Sequence, residues 1–225
     1  MTAMTAGILF TGGEAPAPAK TRALLAELAR ERKLLTAAAD SGLLAAEAAG
    51  FVPDWIVGDM DSLPAERLAA YTPERVIRYP ADKDFTDTEL AFRLLEERGC
   101  AEVYIIGGGG GRMDQLYGIR SLFERENPPR RWYTAGEAVY CLDAPAALTL
   151  PADSRGAISV FPLGNGPWRA ASGGLFWPLA PVRWNRGGFG LSNRPSENAE
   201  IIGIEALSGR FMIIVTELAE LAERE

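Results

Sequence analysis

Asp59 and Asp61 stand two residues apart after the apolar run Trp55-Ile56-Val57, and Asp82, Asp84, Asp87 and Glu89 cluster after Val76-Ile77 with Lys83 among them. Carboxylates packed this densely repel one another unless something cationic sits among them. Hard oxygen ligands in pairs suit Mg²⁺ carrying a polyphosphate, so the two stretches predict a nucleotide–Mg²⁺ site. Gly107 to Arg112 reads GGGGGR. Glycines let the backbone approach a ligand closely, N–H groups at a helix N-terminus bind phosphate, and Arg112 adds a fork of donors. The register is neither G-x-G-x-x-G nor a Walker A loop. Asp114 would hold that arginine or a substrate amine, or simply be a helix N-terminal acid.

Each motif also has a plain structural reading. Thr86-Asp87-Thr88-Glu89 fits a capping box with Thr86 at the N-cap. Gly58-Asp59-Met60-Asp61 fits a solvated turn. Lys83 could be a counter-ion for its neighbours, and Asp40, before Ser41-Gly42, a helix cap. Their joint occurrence at successive strand ends favours the site.

The elements that position these groups follow from periodicity. Apolar runs at Gly7 to Phe10, Leu34 to Ala39, Phe51 to Val57, Arg75 to Tyr79 and Val103 to Ile106 read as strands. Between them, helical spacing predicts helices over Lys20 to Lys33, Ser41 to Ala49, Asp87 to Arg98 and Met113 to Arg125. Alternating strands and helices predict a mostly parallel sheet covered on both faces, with the polar motifs at the edge where such sheets bind ligands. From about Trp132 short β-rich runs take over: Val139 to Leu142, Ala157 to Phe161, Gly174 to Trp177, Gly190 to Ser192, Ile201 to Ile204 and Phe211 to Val215. They predict a second, antiparallel sandwich domain. The boundary falls near Asn127 to Arg131, giving an α/β domain over 1–130 and a β-sandwich domain over 131–225. The tail from Glu217 to Glu225 reads as a short charged helix.

Composition narrows the chemistry. The 225 residues carry a net charge of −7, which argues against a nucleic-acid or anionic-membrane partner. No run approaches the roughly 20 apolar residues of a membrane span, and the N-terminus lacks a secretory pattern, so a cytoplasmic protein is expected. Cys100 and Cys141 make no disulfide framework and read as buried thiols. The chain has no histidine, which excludes Ser-His-Asp catalysis and His-ligated zinc.

AADSGLLAAEAAGFVPDWIVGDMDSL, YPADKDFTDTELAF and IIGGGGGRMDQLYGI resemble, in order and spacing, three motifs of the thiamine pyrophosphokinase family, and GGLFWPL followed by GFGLSN is similar to its C-terminal β domain. The resemblance implies an α/β nucleotide-binding domain plus a β-sandwich, a homodimer, and transfer of a pyrophosphoryl group from ATP to thiamine with release of AMP. It implies Mg²⁺ and phosphate positions at Asp59, Asp61 and Asp87, with Arg112 in the catalytic set. Asp40, Lys83, Thr86, Gly109, Gly110 and Gly111 would belong to the nucleotide site. Asp114, Gln115, Ser192 and Asn193 would lie on the thiamine side, the last two serving the partner subunit's site. Two positions depart from the family pattern: Leu44 replaces an Asn, and Pro195 stands where members commonly carry an aromatic. Trp168, Trp177 or Trp184 would then have to stack on the acceptor, unless these are core or interface residues. The alternatives are a pyrophosphokinase for another hydroxymethyl heterocycle, such as a pterin, and a non-catalytic nucleotide- or thiamine-binding homologue.

Overall fold

A computed structural model of the chain describes residues 4–152 and 155–217. The described residues divide into two compact units, residues 4–122 with 128–135, and residues 123–127 with 136–152 and 155–217.

The first unit is built on β1 (Met4–Thr11), α1 (Pro18–Leu28), β2 (Arg32–Ala39), α2 (Gly42–Ala48), β3 (Trp55–Gly58), α3 (Ala65–Leu68), β4 (Val76–Arg78), α4 (Asp87–Glu97), β5 (Glu102–Gly107), α5 (Met113–Leu122) and β6 (Arg131–Tyr133). Its strands pair in the order β6-β5-β1-β2-β3-β4, every pair parallel. Ile8, Leu9 and Phe10 on β1 and Ile105 on β5 are fully buried. Parallel strands covered on both faces carry such unbroken apolar runs. Strand order reverses at β1, which has β2 on one side and β5 on the other. A crevice therefore opens beyond the carboxyl ends of these strands.

The second unit contains β7 (Glu137–Asp143), β8 (Ala146–Pro151), β9 (Arg155–Leu163), β10 (Arg169–Gly173), β11 (Gly190–Asn193), β12 (Ile201–Ser208) and β13 (Arg210–Glu217). They form two antiparallel sheets, β11-β9-β13-β7 and β10-β12-β8. Period-two burial along β12 places Ile202, Ile204 and Ala206 in the core. The α/β-plus-β-sandwich class read from the sequence is the class observed.

Several boundaries differ from the sequence reading. The first helix stops at Leu28 because Arg32 already pairs with Met4 in the sheet. The fifth stops at Leu122, beyond which Arg210 donates to the carbonyls of Phe123, Arg125 and Glu126 and holds them in the second unit. Gly174 to Trp177 is not a strand; it makes only an isolated bridge, Leu175 to Pro195. The short strands β6 and β10 carry no periodicity that sequence reading separates from loop, and β8, although Leu148 and Leu150 alternate inward along it, is also absent from the sequence reading. The charged tail over 218–225 lies outside the described residues. Cys100 and Cys141 are buried and not joined in a disulfide. Among the described residues no helix is long and apolar enough to cross a membrane.

Candidate active site

Strand ends of the first unit deliver the candidate groups to one cavity of about 680 Å³, lined among others by Thr11, Asp40, Asp59, Lys83, Asp87 and Arg112. β2 ends at Ala39, and Asp40 directly after it takes a left-handed backbone (φ +45°) that turns the chain into α2. β3 ends at Gly58, and α4 begins at Asp87. Carboxylate oxygens of Asp40, Asp59 and Asp87 lie within 4.8 Å of one another. A Cβ on Gly58 would stand 3.0 Å from Asp87 Cγ and 3.3 Å from Asp40 Cβ, so glycine is what lets these carboxylates converge.

Lys83 Nζ is 3.1 Å from Asp87 Oδ1 and 3.9 Å from Asp59 Oδ2. The closer contact is an ion pair out of hydrogen-bond alignment, because Asp87 Oδ1 is buried without a hydrogen-bond partner, as is Asp40 Oδ1. Asp40 Oδ2 accepts from Ser62 Oγ at 2.5 Å. Burial pushes the Asp87 carboxyl above the usual carboxylate range against the pull of Lys83. One ammonium cannot compensate three carboxylates. The excess charge and the two orphaned oxygens are what a hard divalent cation satisfies, so the donor set fits Mg²⁺.

Asp61 stands outside this triad. Met60 takes φ +66° and is buried, so the two-residue step turns Asp59 toward the cavity and leaves Asp61 exposed. The Asp61 N–H donates to Asp59 Oδ1 at 3.2 Å, and the charge of Asp59 raises the Asp61 carboxyl above its ordinary value. Asp40, which sequence reading placed nearby in the nucleotide site, takes the third position. Thr86 makes the capping box: its hydroxyl accepts from Glu89 N–H at 3.2 Å, and Glu89 Oε2 accepts from Thr86 N–H at 3.1 Å. Asp84 lines the cavity, whereas Asp82 does not.

The glycine loop follows β5. The Gly108 and Gly109 N–H groups are spent on the carbonyls of Gly12 and Glu14, at 2.8 and 3.0 Å. Gly110 and Gly111, at φ +62° and +68°, carry N–H groups with no backbone partner among the described residues. Trp132 Nε1 donates to Gly107 O at 2.6 Å and fixes the root of the loop. Arg112 forks onto Asp114, Nε to Oδ1 at 3.1 Å and Nη2 to Oδ2 at 2.5 Å. That guanidinium holds the Asp114 carboxyl below the usual range. Gln115 lines both the main cavity and a smaller one of about 200 Å³ that Asp114 also lines.

Ser192 and Asn193 belong to the second unit and line neither cavity. Ser192 is exposed at φ +54°. Asn193 is buried, and its amide is spent on Trp177: Nδ2 donates to the carbonyl at 2.7 Å and Oδ1 accepts from the N–H at 3.2 Å. Asn193→Ala strands both groups and is expected to cost about 1–3 kcal/mol in a denaturation titration. Unchanged stability would show the clamp to be dispensable. Of the candidate stacking residues, Trp184 packs edge-on against Phe211 at 5.3 Å, Trp168 Nε1 donates to Leu163 O at 2.7 Å, and Trp177 is exposed.

Residues 26–130 match the family model of the thiamin pyrophosphokinase catalytic domain. That stretch of the chain is similar to the thiamin pyrophosphokinase catalytic domain. The fold agrees over nearly the whole length of the chain. Thiamine pyrophosphokinase from Bacillus subtilis superimposes with a TM-score of 0.74 at 20% identity, covering 94% of this chain and 98% of that one. The Geobacillus thermodenitrificans thiamin pyrophosphokinase gives 0.70 at 23%, covering 96% and 99%. The yeast thiamin pyrophosphokinase gives 0.64 at 15%, covering 96% and 86%. No curated protein matches at the level of sequence. The thiamin pyrophosphokinase match supports a kinase-type enzyme. Thr11, Ser62, Thr88 and Trp132 were missed by motif reading, because a hydroxyl or indole in a strand or helix carries no signal until its partner is known.

Proposed function

We propose that this chain transfers a pyrophosphoryl group from ATP to the hydroxyl of thiamine, giving thiamine diphosphate and AMP. The supporting observation is one cavity with a carboxylate triad and Lys83 in its lining together with the glycine loop and Arg112. Asp40, Asp59 and Asp87 would hold Mg²⁺, which when bound supplies positive charge for the β and γ phosphates, with Asp61 as an outer carboxylate. Lys83 pairs with Asp87 and stands 3.9 Å from Asp59, holding the two carboxylates in place. The N–H groups of Gly110 and Gly111 and the guanidinium of Arg112 bind the transferring group where charge develops. Asp59 or Asp87 takes the proton of the acceptor hydroxyl. Such transfer depends on positioning and charge more than on a strong base, which suits a chain without histidine. The reading extends to a cytoplasmic homodimer in which Asp114, Gln115, Ser192 and Asn193 serve the acceptor.

AMP formation by purified protein with ATP and Mg²⁺ tests this. Thiamine-dependent AMP is the expected result. AMP appearing only with a pterin alcohol would move the acceptor, and ATP binding without AMP from any acceptor would leave a binding protein.

A further inference from the structure

Thr11, the last residue of β1, and Thr88, in the first turn of α4, are both more than nine-tenths buried and both line the main cavity. Their hydroxyl oxygens lie 2.7 Å apart. Two hydroxyls carry two protons, and the bond between them uses one. The remaining proton has no acceptor among the described residues, and an unpaired buried donor is costly. Thr88 is the neighbour of Asp87 in the carboxylate triad. The methyl group of Thr11 lies against the glycine loop, 3.2 Å from where a Cβ on Gly108 would stand. The pair therefore sits between the two halves of the site, on the wall of the cavity.

We propose that the Thr11–Thr88 pair is a binding element of this cavity, donating its unspent proton to a phosphoryl oxygen of the nucleotide. The inference rests on the nucleotide reading above and adds to it a neutral donor between the cationic groups. An uncharged donor suits a position beside Asp87, where a second ammonium would be drawn into the carboxylate triad and lost to the ligand.

Calorimetric titration of the full-length protein with ATP, AMP, adenosine and inorganic pyrophosphate, each with Mg²⁺, tests the pair in wild type and in Thr88→Val, Thr11→Val, Thr88→Ser and Thr11→Ser. Valine keeps the shape of threonine and removes the hydroxyl, while serine keeps the hydroxyl. The valine variant at the threonine that holds the unspent proton is expected to bind ATP and pyrophosphate on the order of tenfold more weakly, with the serine variants near wild type and weak adenosine binding unmoved. Unaltered ATP affinity in both valine variants with native circular dichroism would overturn the proposal and leave the pair a packing contact. Equal weakening for adenosine and ATP would also overturn it, by placing the acceptor on the nucleoside. Wild-type protein that binds no ATP would instead defeat the nucleotide reading itself, and the proposal with it.

Discussion

Asp87→Asn is expected to lower AMP formation on the order of 10²–10³-fold while making the metal-free protein more stable to heat. Both effects come from one cause. Asp87 carries an orphaned, buried oxygen within 4.8 Å of carboxylate oxygens of Asp40 and Asp59, and burial raises its pKa from the ordinary 3.8. An acid whose pKa is higher in the folded than in the unfolded state binds its proton more tightly when folded. Its protonated form therefore favours folding at low pH, and that contribution is lost as pH rises through the folded value. At neutral pH the ionised Asp87 is a cost that a cation offsets and an amide removes. Melting curves with chelator should show Asp87→Asn above wild type at pH 7, with the gap closing as pH falls toward 3.8. Added Mg²⁺ should raise the wild-type transition and leave the variant nearly unmoved. Full turnover in a folded Asp87→Asn variant would remove this carboxylate from the mechanism.

Gly107→Ala should destabilise the protein by about 3 kcal/mol or more, against about 1 kcal/mol for Gly111→Ala. Gly107 takes φ +100°, and a Cβ there would fall 2.2 Å from the carbonyl oxygen of Thr11. That oxygen belongs to the backbone of β1, which pairs with β5 through Thr11 and Gly107, so it cannot move aside without opening the sheet at the cavity. Gly111 has a similar left-handed backbone, φ +68°, but nothing within 4 Å of its Cβ position. Only the conformational cost remains there. Urea titrations of the two variants separate clash from strain. Equal losses would mean that β1 and β5 yield more readily than a paired backbone should.

The parallel sheet was legible because strands buried on both faces need unbroken apolar runs, as at Ile8 to Phe10 and Val103 to Ile106. The motifs at their ends were legible because acidic clusters and glycine runs are rare unless a site or a turn requires them. Short strands such as β6 escaped notice, since three residues carry no period. That the Asn193 amide is clamped by the Trp177 backbone was not legible, because a side chain's partner sixteen residues away leaves no mark in the local sequence.

The sequence by itself determined the class of fold and the groups on which any chemistry must draw: no histidine, dense carboxylates, and a glycine run before a helix. Those are properties of composition and local periodicity, which exist before the chain folds. Only the tertiary structure decided that Asp40 rather than Asp61 joins Asp59 and Asp87, that the N–H groups of Gly110 and Gly111, unlike that of Gly109, have no backbone partner among the described residues, and that Thr11 meets Thr88. The reason is that strand register and a few backbone angles, at Asp40, Gly58 and Met60, choose which side chains of adjacent strand ends point inward, and no spacing along one segment encodes a meeting between segments.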